Sequence, residues 1–274
     1  MSASSPVAAR SPSVRARLLW SVVALLPGAA AQVWAGDSTL PVRLSLALMT
    51  AIGIEALALR LRAQPLSPFL KDGSAVLIAW LLALWLSPGS PWWIAPLGAG
   101  IAVGLFKQVF GGLGREILHP AMGAYAVLVV LLPPSLPAAD AGLASPWVIA
   151  GYVLGGLALL TARVVRWEAS VAVLATVLTL LLMATWADPA RNQSWIAAAP
   201  WCLAAFFLVT DPLTSCRSPR GRWVFGIGVA LLGLGLQARG ATPPAAIAFA
   251  LLLMNAAAPW IDRHTEPRAW TRPA

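Results

Sequence analysis

A helix needs about 20 mostly apolar residues to cross the hydrocarbon of a bilayer. Runs of that order, closed by charge, proline or glycine, recur ten times along the chain, at roughly 18–36, 40–60, 73–87, 92–110, 119–137, 146–163, 169–186, 194–210, 223–238 and 243–261. The third run is only about 15 residues long, too short to cross unaided. The pattern therefore predicts an all-α polytopic membrane protein of about ten transmembrane helices, some of them broken or half-length.

Composition sharpens this picture. Of 274 residues, 59% are hydrophobic and 11% charged, with a mean hydropathy of +0.78, which excludes an ordinary soluble globule and a disordered chain. Two cysteines make neither a disulfide framework nor a thiolate metal site, and two histidines leave little for haem or zinc. A net charge of +9 would suggest nucleic acid in a soluble domain. With both termini in the cytoplasm, however, 16 of the 19 lysines and arginines fall on cytoplasmic segments and only Arg43, Arg191 and Arg239 outside. The basic charge thus reports positive-inside topology, with the bilayer and not nucleic acid as the partner. Trp34, Trp85, Trp92, Trp93, Trp147, Trp167, Trp186, Trp195, Trp223 and Trp260 lie at or near span ends, the level an amphipathic ring prefers. Residues 1–17 match a transit peptide in composition, and Leu18 to Leu26 followed by Gly28-Ala29-Ala30-Ala31 imitates a signal sequence. The apolar run continues through Val33 and Trp34, so it is expected to stay as a span.

Spans four and five can be laid over nine and ten. Trp93-Ile94-Ala95-Pro96-Leu97-Gly98 falls on Trp223-Val224-Phe225-Gly226-Ile227-Gly228, and Pro120-Ala121, Ala124, Tyr125, Ala126 on Pro244-Ala245, Ala248, Phe249, Ala250. The implied organisation is a cytoplasmic tail 1–17, a five-helix repeat 18–137, a short external loop 138–145, a second repeat 146–261 and a cytoplasmic tail 262–274. Five is odd, so the second copy enters the bilayer inverted, an architecture whose site usually lies at the repeat interface beside broken helices. The expected breaks are Lys71-Asp72-Gly73-Ser74 before span three and Thr210-Asp211-Pro212-Leu213-Thr214 at the end of span eight, matched in placement between the halves. Asp72 and Asp211 either cap helices there or face an ion.

Glu55 is either a buried carboxylate or a rim residue, and Lys107 is expected to snorkel from its span end to the interface. Asn255 is read as a hydrogen-bonded join between helices. His119 and His264 are not credible haem ligands, Cys202 reads as a small apolar residue, and Cys216 as a free cytoplasmic thiol. Gly111-Gly112-Leu113-Gly114 lacks the strand–helix setting of a phosphate loop and is read as a tight chain reversal.

Phe106-Lys-Gln-Val-Phe-Gly-Gly-Leu-Gly114 followed by His119-Pro-Ala-Met-Gly-Ala-Tyr-Ala-Val-Leu128 resembles the RnfD/NqrB family, whose RnfD members are membrane components of Rnf electron-transport complexes. Also similar are Leu26-Pro-Gly-Ala-Ala-Ala-Gln-Val-Trp34, Leu70-Lys-Asp-Gly-Ser-Ala75, Phe207-Leu-Val-Thr-Asp-Pro-Leu-Thr214, Gly221-Arg-Trp-Val-Phe-Gly226 and Ala248-Phe-Ala-Leu-Leu-Leu-Met-Asn255 with Asp262 beyond. The NqrB members are the homologous components of sodium-pumping NADH:quinone reductases. The resemblance implies a ten-helix inverted repeat in the bacterial inner membrane, partnered by other subunits of an Rnf-type complex that couples electron transfer from NADH or ferredoxin to cation translocation. It also implies FMN, joined covalently to a Thr on a long loop between helices five and six. Here that loop is only about Pro134 to Ser145 and contains no Thr, so the attachment site is expected to be missing. Gly240-Ala241-Thr242-Pro243 imitates the motif elsewhere; Thr242 is read as a decoy and as an N-cap. Where the family has Asn-Pro-Phe-Asn-Pro-Ala, this chain has Arg115-Glu116-Ile117-Leu118-His119-Pro120-Ala121, without the amides. Gly111, Gly112 and Gly114 stay as candidates for holding a flavin noncovalently. The candidate ion path comprises Asp72 and Asp211, with Ser74, Thr210 and Thr214 as neutral oxygen donors suited to a hard cation, and Glu55. No residue is assigned as catalytic, and the chain is not expected to catalyse alone. The alternative is an inverted-repeat channel or transporter, or a structural remnant, without redox partners.

Overall fold

The computed structural model describes residues 13–67, 72–112, 114–133, 136, 145–187 and 198–266. Lys71, Trp195, most of the segment between spans five and six and the ends of both tails lie outside these. Ten helices follow: α1 Val14–Trp34, α2 Leu40–Leu61, α3 Ser74–Trp85, α4 Ile94–Ile101 continued as a π segment Ala102–Gln108, α5 Pro120–Leu131, α6 Pro146–Thr161, α7 Trp167–Ala187, α8 Ala198–Leu203 continued as a π segment Ala204–Leu208, α9 Pro219–Ala238 and α10 Pro243–Thr265. Among the described residues no strand occurs.

Helix starts obey capping more than charge. Ser13 accepts from Ala16 N at 3.2 Å, so α1 begins before the apolar run does. Ser218 accepts from Gly221 N at 2.9 Å and Pro219 takes the first position, which sets the start of α9 ahead of Arg220 and Arg222. Among the described residues α1, α2, α7, α9 and α10 are long and apolar enough to cross a membrane as single helices. The sequence suggests one short element; α3, α4, α5 and α6 are all shorter.

The neighbours within one half repeat in the other. In the first, α3 packs on α1 and α2, α4 on α2, and α5 on α3 and α4; in the second, α8 packs on α6 and α7, α9 on α7, and α10 on α8 and α9. Across the seam each equivalent pair meets itself, α1 with α6 and α5 with α10. That is the contact pattern of a two-fold axis, and with five helices per half the copies run oppositely. The chain begins at the end that collects Arg15, Arg17, Arg60, Arg62, Arg163, Arg166, Arg217, Arg220 and Arg222, here termed the arginine-rich end.

The seam is made by small residues. A Cβ on Gly155 of α6 would lie 1.9 Å from Ala24 O of α1, and one on Gly151 would lie 2.7 Å from Pro27 O. Gly151 and Gly155 are four apart, the spacing that lets membrane helices touch backbone to backbone. Leucines, valines and isoleucines cover the outside, while the interior is rich in alanine. Exposed Trp34, Trp92, Trp147 and Trp186 ring one end and Trp167, Trp223 and Trp260 the other, as two headgroup belts. Trp85, read from sequence as a belt residue, is instead buried and donates to Pro244 O at 3.2 Å, joining the halves.

Candidate functional site

At the arginine-rich end, α2 presents Glu55 to the bundle interior, 2% exposed. Facing it is Lys107, at the end of α4, where i→i+5 bonds (Val109 N to Gly104 O, 3.2 Å; Gly112 N to Lys107 O, 3.0 Å) widen the helix into a π turn. Lys107 does not snorkel: at 1% exposure it forms an ion pair with Glu55 and donates to Ser74 Oγ at 2.5 Å. An unpaired ammonium or carboxylate would be too costly there, and the pairing offsets part of that cost.

The first break lies against this pair. Gly73 takes a left-handed φ of 83°, and Asp72 Oδ1 accepts from Ser74 N at 2.7 Å and Ser74 Oγ at 2.5 Å, starting α3. The result is a continuous polar chain Asp72–Ser74–Lys107–Glu55, extended by Gln108 and Arg62. At the second break Asp211 accepts from Leu213 N at 3.2 Å and Thr214 Oγ1 at 2.9 Å, while Thr210 Oγ1 returns to Phe206 O at 2.6 Å. Both aspartates therefore order local backbone. Asn255 of α10, oriented to satisfy its neighbours, donates to Thr214 O at 3.2 Å and accepts from His119 N at 3.0 Å, tying the second break to the first half.

The two breaks do not occupy equivalent positions, contrary to the sequence expectation. One precedes α3 and the other follows α8, its counterpart. Because the second half is inverted, α8 finishes at the end of the bundle where α3 starts, so the breaks arrive together. Ser74 and the Thr210–Leu213 stretch line one cavity of about 40 Å³, with Arg17, Leu81, Glu116, His119 and Phe207 among its other walls. That volume accepts a few waters and is far below the roughly 300 Å³ at which organic ligand sites begin. The cavity adjoins a groove of about 800 Å³ whose rim carries Arg17, Arg163, Arg166, Arg217 and Arg222; Arg222 is held 3.4 Å from Glu168.

Glu116 and His119 were not marked as site residues by sequence reasoning. Both are buried, and Glu116 Oε1 and His119 Nδ1 have no hydrogen-bond partner. Burial, reinforced by Asp211, Asp72 and Glu55 and opposed by Lys107, pushes the Glu116 carboxyl up to about 8. A carboxylate four residues before the proline-initiated α5 was the available signal. Gly111, Gly112 and Gly114 have φ of 108°, 93° and 86°; a Cβ on Gly112 or Gly114 would meet nothing within 4 Å, so the backbone conformation accounts for them. Thr242 occupies the N-cap of α10 but makes no side-chain capping bond. Cys216 is buried, not a freely accessible thiol, 3.9 Å from Ala258 O. His264 Nδ1 contacts Trp260 O at 2.8 Å.

Comparison with known proteins decides the family. A profile described as the NQR2, RnfD, RnfE family matches residues 1–142 and 135–271. The chain belongs to this family. The two matches meet between α5 and α6, at the boundary of the halves. Among curated relatives in the family, proteins named as the D subunit of an ion-translocating oxidoreductase complex are similar throughout: that of Aeromonas hydrophila is 33% identical over 343 residues, covering 98% of this chain and 97% of its own. Those of Ectopseudomonas mendocina (34% over 325 residues, 97% and 94% covered) and Pseudomonas aeruginosa (32% over 322 residues, 95% and 92%) are alike. The alignments are longer than the 274 residues of this chain, so these relatives carry stretches that it lacks.

Proposed function

We propose that this protein is the integral-membrane RnfD component of an ion-translocating oxidoreductase complex, in the bacterial inner membrane with both termini cytoplasmic. The observation that carries this is the end-to-end similarity to relatives of that name, on a chain whose halves enclose polar groups at their interface. Its other subunits would supply the redox centres. No Thr stands between residues 134 and 145 to take a covalent FMN, so this chain is proposed to carry none there.

The ion path is proposed to follow the seam between halves. Besides the cavity at the breaks, a second of about 20 Å³ lies toward the far end, lined by Gln32, Leu84, Trp85, Tyr152, Leu203 and Pro244, with Gln32 Oε1 and Tyr152 Oη unpartnered. Leu81 lines the first cavity and Leu84 the second; Phe207 lines the first and Leu203 the second. At 1.5 Å per residue, about one helical turn separates them.

An affinity tag on this chain tests the assignment. Co-purification of redox subunits, with NADH- or ferredoxin-driven cation uptake into vesicles, is expected; purification alone with no loss of such activity on deletion would refute it. Asp72→Asn and Asp211→Asn should assemble yet slow uptake, and undiminished uptake would retire the ion path. In-gel fluorescence after denaturation should show no flavin band on this chain.

A further inference from the structure

The cavity at the breaks is lined by two carboxyl groups, Glu116 after α4 and Asp211 after α8, together with His119 at the start of α5 and Arg17 of α1. Glu55 of α2, Asp72 before α3 and Lys107 of α4 also bear on the charge of Glu116. Three of the four carboxylates have identified donors. Glu55 has Lys107, Asp72 has the amide and hydroxyl of Ser74, and Asp211 has Leu213 N and Thr214 Oγ1. Glu116 Oε1 has none, although the residue is only 8% exposed. A negative charge on Glu116 would have no donor at Oε1 in this desolvated region, and the cheapest relief is a proton on that carboxyl. A buried acceptor without a donor, His119 Nδ1, lines the same cavity in a residue 3% exposed. Among the described residues no three His, Cys, Asp or Glu side chains come together as metal ligands, whereas the volume suits a few waters.

We propose that Glu116 is a proton-loading carboxyl. Its carboxylate takes a proton from hydronium in the cavity, leaving water; the new O–H points through cavity water toward His119 Nδ1, and the proton returns to cavity water on release. The elevated titration of Glu116, near 8, agrees with a group loaded at neutral pH and able to discharge. This deepens the ion-path proposal by naming the proton as the species bound at this end, yet it is tested without partners or turnover.

The test is infrared spectroscopy of the full chain in lipid nanodiscs across pH 5 to 10, wild type against Glu116→Gln. The wild type is expected to show a protonated-carboxyl carbonyl band at pH 7 that fades with a midpoint near 8, that is absent from Glu116→Gln, and that NaCl leaves unchanged at fixed pH. Identical spectra of the two proteins at pH 7 would overturn the proposal, as would discharge of the band by NaCl, which would make the ligand a metal cation. Glutamine matches the protonated acid in shape, so the variant should fold; His119→Phe provides a second reading, with the midpoint falling as the acceptor is lost. An unmoved midpoint there would remove His119 from the site.

Discussion

Two buried charged clusters sit at opposite ends of this bundle, and they are built to different rules. At the far end Arg43, 2% exposed, grips Asp37 through both terminal nitrogens (2.7 and 3.2 Å) and also donates to Thr39 Oγ1 at 2.7 Å and to the carbonyls of Ser87 and Ala83. Asp37 accepts in addition from Leu40 N and Thr39 Oγ1. One charge meets one charge, and the clamp fastens the α1–α2 turn to the end of α3. At the arginine-rich end Lys107 pairs with Glu55, and a cavity is left beside Glu116, which has no donor at Oε1. Arg43 Nε lacks a partner, yet the clamp's charges match and it fixes a structure; a carboxyl at a membrane seam with neither a paired cation nor a donor at Oε1 stays able to change its charge.

Breaking the clamp should do the most damage. Arg43→Met strands a buried carboxylate and is expected to cost about 3–5 kcal/mol, read as a lower midpoint in heat or SDS unfolding of purified protein; an unchanged midpoint would remove the clamp from the account. Next is the seam on which both ends depend: Gly155→Ala forces α1 and α6 apart against Ala24 O and should cost about 2–3 kcal/mol by the same measurement. Glu116→Gln should act with the opposite sign. A carboxyl raised by burial binds its proton more tightly folded than unfolded, so its stabilising contribution is complete below about pH 4.5 and is lost as pH climbs through about 8. The variant should therefore match wild type at pH 5 and be the more stable of the two at pH 9, and a destabilised variant at pH 9 would erase the contrast between the ends. Smallest is Cys216, whose thiol is pushed up to about 12 by burial and then by Asp262; native protein at pH 8 should resist maleimide at this position, and denatured protein should label.

The ten helices, the odd-numbered halves and the two breaks were legible because span length, charge asymmetry and proline–glycine punctuation are local properties of sequence. The convergence of Ser74 with Asp211 was not, since it follows from inversion bringing the start of α3 and the finish of α8 to one end. Lys107 misled because a lysine near a span end usually reaches water; a π turn in α4 and a carboxylate 52 positions away turn it inward. Arg43 was noticed only as an exception to the charge count, for the same reason: its partner is visible only once the α1–α2 turn closes. Glu116 stands in the sequence only as part of a departure from the family pattern, because burial of a connecting segment depends on what covers it.

The central claim is that breaks from opposite halves enclose one cavity. Ser74→Cys with Thr210→Cys, in a chain whose Cys202 and Cys216 are replaced by Ala, can be treated in membranes with a short thiol crosslinker and read by mass spectrometry, with Thr39→Cys and Pro88→Cys, whose native residues are in contact, as the positive control. A crosslinked peptide joining positions 74 and 210 at a yield comparable to the control is expected; control crosslinking with no 74–210 product would contradict the account.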